Sequence, residues 1–158
     1  MIIAKKLDSI TALDVQVRRL YETAFPVEEQ IPYEDLMVLM DKMPLDFTAY
    51  YEGEEFVGFT IVYPRKTFNW FWYFAVCDEL RGKGMGQQIL SMLIEEYKDC
   101  TNILDMESPD QVCENSEQRK RRNDGFRVVD DVLSSIHFHK YSVFCLNKIA
   151  EQGRNRIE

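Results

Sequence analysis

Positive charge is scarce. The chain of 158 residues carries 19 lysines and arginines against 27 aspartates and glutamates, a formal charge of −8 at pH 7. A nucleic-acid binder gains affinity by displacing phosphate counterions with a basic face. This composition argues against one and instead suits attraction of cationic small molecules or peptides. Long hydrophobic runs are missing too: the longest, Trp70 to Cys77, has eight residues, against the roughly 20 that span a bilayer. No membrane partner is expected. The start, Met1 to Asp8, reaches charge before any apolar stretch of signal-peptide length.

Cysteine is sparse, with Cys77, Cys100, Cys113 and Cys145 neither paired closely nor in C-x-x-C. That excludes a disulfide framework, reads as reduced thiols and points to the cytoplasm. The two histidines, His137 and His139, share one strand face but have no third ligand at matching spacing, so no metal is expected. With five prolines and seven glycines there is no linker and no repeat. The expectation is a single domain over 1–150 and a polar tail over 151–158.

What is present is core. Apolar residues make up 46% and aromatics 13%, enough at this length to bury about 70% of the unfolded surface. Ile2 and Ile3 open a strand. Val17, Leu20, Tyr21 and Ala24 recur at helical spacing before Pro26; Tyr33, Leu36, Met37, Met40 and Met43 do so before Pro44. Phe47–Tyr51 and Phe56–Tyr63 flank a turn at Gly53, a hairpin whose turn does not read as a tight two-residue type. Thr67–Val76 is apolar on both faces, as for a strand in the middle of a sheet. A helix with Ile89, Leu90, Leu93, Ile94 and Tyr97 inside precedes a strand over Asn102–Met106. A polar helix over Asn115–Arg122, a Gly125-Phe126 turn, and strands over Val128–Ile136 and Tyr141–Leu146 complete the chain. The predicted class is α+β, a mixed central sheet flanked by helices.

Three of the seven glycines, Gly82, Gly84 and Gly86, fall within five residues, after a strand and before an amphipathic helix. The first turn of a helix leaves N–H groups unpaired and carries roughly half a positive charge. Glycines let phosphate oxygens approach that backbone, and Arg81 and Lys83 add cations at the same mouth. The alternative is a tight connection with no ligand. A Walker P-loop does not fit, lacking its four-residue spacing and Lys-Ser/Thr. Nor does a dinucleotide fingerprint, because Gln87 stands where its third glycine would be.

Arg81-Gly82-Lys83-Gly84-Met85-Gly86 resembles the acetyl-CoA signature Gln/Arg-x-x-Gly-x-Gly/Ala of the GNAT acyltransferase superfamily, and the order of elements around it is similar over most of the chain. The resemblance implies the GNAT acyl-CoA N-acyltransferase fold and transfer of an acetyl group from acetyl-CoA to a small-molecule or peptide amine. A homodimer is compatible with the sequence. The resemblance places the CoA pyrophosphate on Arg81 through Gly86, with Gln87 next in the helix, and the pantetheine arm along Phe74, Ala75 and Val76. The Val76 N–H would face the thioester oxygen, an oxyanion-hole role. Asn115 is matched to a cofactor-arm asparagine. Glu107 stands where the family places polar site residues and is the candidate base; its other reading is a solvated carboxylate at a strand end. Glu28 and Glu29, in the loop that walls the acceptor pocket in this family, suit an amine.

One departure is visible. The family's tyrosine acid falls about four residues before the Gly-Phe turn, and Arg119 to Asp124 holds no tyrosine. A thiol of pKa about 8.5 lies only about 1.5 units above neutrality, so forgoing the acid costs on the order of 2 kcal/mol. The alternative function is therefore a CoA-binding domain with weak or no catalysis. Basic Arg119–Arg122 reads as a solvated helix face or a phosphate contact. Cys77 reads as a buried thiol rather than an acyl carrier.

Overall fold

A computed structural model describes residues 1–106 and 141–145. Its frame is a six-stranded sheet in sequential order: β1 (Ile2–Leu7), β2 (Asp46–Glu52), β3 (Glu55–Pro64), β4 (Phe68–Val76), β5 (Thr101–Met106) and β6 (Tyr141–Cys145). The first four strands run antiparallel; β4–β5 and β5–β6 are parallel. The class is α+β, as the sequence implied. The elements expected over Asn115–Arg122 and Val128–Ile136, the cysteines Cys113 and Cys145 as side chains, His137, His139 and the tail lie outside the described residues.

Helices cover both faces. Helix α1 (Val15–Ala24) starts on Asp14, whose carboxylate accepts from the N–H of Gln16 at 2.8 Å and of Val17 at 3.4 Å, a cap worth about 1 kcal/mol. Its stripe Val17, Leu20 and Tyr21 packs with Tyr33, Leu36 and Met37 of α2 (Tyr33–Lys42) on Phe47, Phe59, Ile61, Tyr73 and Ala75. On the opposite face, α3 (Met85–Glu96) sets Leu90, Leu93 and Ile94 on Val62 and Phe71, and Ile89 with Tyr50, Val57 and Val76. Each such side chain fully buried contributes about 2 kcal/mol.

Three local features depart from simple alternation, one of them a bulge between β2 and β3, where Tyr50 pairs with Gly58 and Tyr51 with Phe56 so that Val57 is the extra residue. The hairpin turn proves tighter than expected: Glu52 pairs with Glu55, leaving a two-residue loop. Gly53 supplies positive φ (64°) at its first position, as a type II′ turn requires. In β4, Ile61 pairs with Tyr73 and Val62 with Phe71, so Trp72 is the extra residue of a β-bulge. The bulge sends Phe71 to the α3 core while Trp72 and Tyr73 both pack on the α1–α2 side.

Candidate functional site

The site is built where β4 leaves β5. Rungs join Phe68 to Thr101, Asn69 to Asn102, Trp70 to Ile103 and Phe71 to Leu104, and no rung follows. Beyond that point β4 runs on to Val76 while β5 stays with β6, through Met106 opposite Cys145. The two parallel strands form a fork, closed at Phe71 and open toward the glycine turn.

Backbone alternation decides what faces into the fork. The Cys77 N–H donates to the Val57 carbonyl at 2.9 Å. With Ala75 opposite Phe59 and Tyr73 opposite Ile61, the alternating ladder turns the polar groups of Tyr73, Ala75 and Cys77 toward β3 and those of Phe74 and Val76 toward the open edge. Ala75 therefore contributes position and side chain rather than backbone hydrogen bonds to that edge. Gly58 is required beside it: a Cβ there would lie 2.3 Å from the Ala75 oxygen.

The glycine turn follows directly. A short 3-10 turn over Asp78–Leu80 leads to Gly82 (φ 73°) and Gly84 (φ 79°), both left-handed and both exposed. The first helical bond of α3 runs from the Gln88 N–H to the Gly84 carbonyl at 3.1 Å. The N–H groups of Gly82, Lys83, Gly84, Met85, Gly86 and Gln87 precede it, and among the described residues none has an acceptor. A Cβ placed on Gly82 or Gly84 would meet nothing within 4 Å, so the space above the turn is open. An array of outward-facing N–H groups at a helix start is the donor set a diphosphate needs; the residues fit such a group. A groove of about 530 Å³ continues from the turn between the start of β1 and α3, reaching Ile2, Gln87, Gln88 and Met92.

Arg81 differs from its neighbours. Its N–H donates to the Asp78 carbonyl at 3.3 Å, and its Nε donates to the Val76 carbonyl at 3.2 Å and to Asp78 Oδ1 at 3.0 Å. Part of its donor capacity is thus spent on the protein, tying the end of β4 to the turn and occupying one carbonyl of the open edge. The sequence showed a cation here but not this inward pairing. Lys83 is exposed beside it.

Phe74 is half-buried against the α3 core, and Val76 lies beneath Ile89 and Leu80. Cys77 is half-buried, with its thiol donating weakly to the Phe56 carbonyl at 3.5 Å. Burial, reinforced by Glu79, pushes its pKa up, away from the thiolate a nucleophile needs. On the other side, the Tyr73 hydroxyl fastens the loop between α1 and α2 to β4 by donating to the Glu29 carbonyl at 2.8 Å, and Gln30 Nε2 ties that loop back to the end of α1, donating to the carbonyls of Glu22 and Phe25 at 3.0 and 2.6 Å. Glu28 and Glu29 are exposed there. Glu107 and Asn115 lie outside the described residues. Among the described residues no three His, Cys, Asp or Glu side chains converge as a metal site, and no helix is long and apolar enough to cross a membrane.

The geometry agrees with the comparisons to known proteins. A Bacteroides thetaiotaomicron protein assigned to the GNAT acetyltransferases superposes with a TM-score of 0.65 at 22% identity, over 79% of this chain and 69% of its own. An aminoglycoside acetyltransferase from an uncultured soil metagenomic sample, solved with sisomicin, gives 0.58 at 14% identity over 87% and 94%. A GNAT family acetyltransferase of Staphylococcus aureus gives 0.51 at 18% identity over 73% and 93%. At these identities the likeness is one of fold, the GNAT acyl-CoA N-acyltransferase fold. No curated protein matches the chain in sequence. Residues 15–112, more than half of the chain, match the acetyltransferase (GNAT) family, and the chain belongs to that family.

Proposed function

We propose that the protein transfers an acetyl group from acetyl-CoA to a primary amine by direct attack in a ternary complex. The observation that carries this reading is the run of acceptor-free N–H groups from Gly82 to Gln87, set at the mouth of the β4–β5 fork. Acetyl-CoA supplies an activated acyl carbon. The chain supplies the rest. The glycine turn holds the diphosphate, with Lys83 adding charge and Met85 and Gly86 contributing backbone. The polar groups of Phe74 and the N–H of Val76 face the pantetheine arm as an added strand would, the Val76 carbonyl being held by Arg81. The Val76 N–H, or that of Phe74 one step deeper in the fork, meets the thioester oxygen as negative charge develops on it.

The amine must attack uncharged. With a pKa near 10.4, deprotonation at pH 7 costs roughly 4–5 kcal/mol, and a base at Glu107, directly or through water, relieves it. A carbon–nitrogen bond forms and the carbon–sulfur bond breaks, with its electron pair left on sulfur. The proton the nitrogen loses balances the one the departing thiol takes up. Asn115 is assigned to the cofactor arm. The reduced thiols suit a cytoplasmic setting.

The second reading, a CoA-binding domain with weak or no catalysis, is favoured by one observation: no tyrosine stands between Arg119 and Asp124. Calorimetry with acetyl-CoA tests what both readings share; absence of saturable binding up to millimolar ligand removes both. Thiol release across a panel of amines then separates them. Release above background with at least one amine supports the transferase, and binding without release supports the binding domain.

A further inference from the structure

We infer that the β1 edge of the sheet is a self-association surface, and that its occupant is the β1 strand of a second copy of this chain, antiparallel and centred on Ala4. The inference is independent of the acyl-transfer reading above.

Strand β1 pairs on one side only, with β2, through six unbroken rungs from Ile2–Glu52 to Leu7–Phe47. Alternation tells which of its backbone groups stay open. Ala75 turns its polar groups toward β3, so its partner Phe59 faces β4 and the next residue, Thr60, faces β2. Thr48, opposite Thr60, therefore faces β3. That leaves Phe47, Ala49 and Tyr51 to bond with Leu7, Lys5 and Ile3 of β1. The N–H and C=O groups of Ile2, Ala4 and Lys6 point out of the sheet, and among the described residues no strand takes them up.

Proteins usually blunt such an edge with proline, a bulge or projecting lysines. Strand β1 has neither proline nor bulge, and both of its lysines lie sideways. On one face Lys5 Nζ sits 4.5 Å from the centre of the Tyr51 ring. On the other, Lys6 Nζ pairs with Glu96 at 2.7 Å and lies 3.7 Å from Asp46. Ile3 is 47% exposed beside them. The edge is unguarded.

Symmetry and charge pick the occupant. The three open residues are spaced evenly about Ala4. A two-fold axis there sets Ile2 against the second copy's Lys6 and Ala4 against its own counterpart. Every open group then finds a partner in one register, as an isologous interface requires. The same register lays the second copy's Lys5 stem along the exposed Ile3. It also brings the second copy's Lys6 beside Ile2, whose neighbour on β2 is Glu52. The lysine end of each strand thus meets the glutamate end of the other, whereas a parallel pairing would set lysine beside lysine. Ala4 lines a groove of about 580 Å³ with Ser91, Met92, Glu95 and Glu96 of α3, so the axis, where the copies come closest, carries space rather than bulk. Glu95 and Glu96 bring little repulsion to it, since they are paired with Lys98 and Lys6.

Sedimentation equilibrium of the full chain tests this. The expected result is a reversible monomer–dimer equilibrium with no larger species, because the pairing uses up the edge. Ala4→Pro removes an outward N–H and spares the β1–β2 ladder. It should raise the dimer dissociation constant at least tenfold and leave unfolding of the dilute monomer unchanged. Lys5→Pro removes an inward N–H and should destabilise that monomer. Lys6→Glu and Glu52→Lys should each weaken association several-fold, while an equimolar mixture of the two variants should dimerise as tightly as the parent. Mixing repairs contacts between copies and nothing within one, so it separates the interface from any local damage. A chain that stays monomeric up to near-millimolar concentration, its edge left for some other protein's strand, overturns the inference. So does a dimer that Ala4→Pro leaves intact, an Ala4→Pro monomer as destabilised as Lys5→Pro, or a mixture no tighter than its components.

Discussion

Asn69 donates its side-chain amide to Asn102 Oδ1 at 2.9 Å across the parallel pair β4–β5, with both residues almost fully buried. Asn102 in turn donates to the carbonyls of Tyr97 and Cys100, at 3.0 and 3.3 Å, which ties the end of α3 to the start of β5. The pair is a polar rivet at the closed end of the fork. Because a parallel pair can slip without changing its hydrophobic character, a buried amide that must find one partner fixes the register. Asn102→Ala leaves the Asn69 amide buried without its partner and should cost about 2–3 kcal/mol in denaturant unfolding. The double variant Asn69→Val/Asn102→Val should cost less than the sum of the single changes; additivity would show that the amides do not act as a pair.

The glycine turn makes a sharper claim, because strain and charge can be separated there. Gly84 has φ 79°, a conformation that asparagine tolerates better than most residues. Nothing lies within 4 Å of a Cβ at that position. Gly84→Asn should fold with a modest loss of stability and bind acetyl-CoA within about fivefold of the parent. Gly84→Asp has nearly the same shape but sets a carboxylate over the array of N–H groups and should weaken binding at least tenfold, on the scale of the helix-terminus charge effect. Calorimetry decides, and equal affinities in the two variants would mean that no anion sits on this turn.

Much of this architecture is legible in the sequence, and the illegible parts have physical causes. Val17, Leu20 and Tyr21, or Ile89, Leu90 and Leu93, announce their helices because only one face of each is buried. The glycine spacing announces a left-handed turn because few other residues adopt that backbone. The bulge at Trp72 is not announced: in the run from Trp70 to Phe74 every residue is aromatic, so periodicity carries no mark of where one extra residue sits. The two-residue turn at Gly53 was hidden by its glutamates, since the usual Asn-Gly cue is absent. The inward pairing of Arg81 depends on Asp78 and Val76 arriving beside it, which is a property of the folded turn rather than of composition. The role of Phe74, Ala75 and Val76 beside the turn is implied by the family resemblance alone.

Alkali should unfold the protein steeply. Burial pushes the phenols of Tyr33 and Tyr50 up to about 12 and that of Tyr21 higher still. All three are fully buried. Their pKa values in the folded chain lie above the unfolded value near 10. Their protonated forms therefore cost nothing below pH 10, and stability is lost as pH rises past it, because only the unfolded chain releases those protons. Each such phenol removes about 1.4 kcal/mol per pH unit across this window. The unfolding midpoint in urea should begin to fall near pH 9, where the half-buried Cys77 thiol is released only on unfolding, and should fall sharply between pH 10 and 12. Spectrophotometric titration should show these phenols ionising only together with unfolding. A gradual, reversible titration of all eight tyrosines in the folded chain would contradict the buried placement of Tyr21, Tyr33 and Tyr50.

The two cations of the turn should separate by role. Lys83 is exposed and would meet a diphosphate as a point charge, so its contribution is screened by salt. Arg81 is partly buried and bonded to Val76 and Asp78, so its contribution comes through the shape of the turn and the position of the Val76 end of β4. Lys83→Met should lower acetyl-CoA affinity several-fold at low ionic strength, with the deficit shrinking as salt is added, and should leave the thermal midpoint unchanged. Arg81→Met should lower affinity by a factor that salt does not remove and should also lower the thermal midpoint by a few degrees, consistent with the loss of about 1 kcal/mol in a domain of this size. Arg81→Lys should not restore it, because an ammonium cannot reproduce the Nε geometry that bridges a carbonyl and a carboxylate. If both methionine variants respond to salt alike and neither changes stability, Arg81 is a second ligand cation, and the tie between strand and turn has no functional weight.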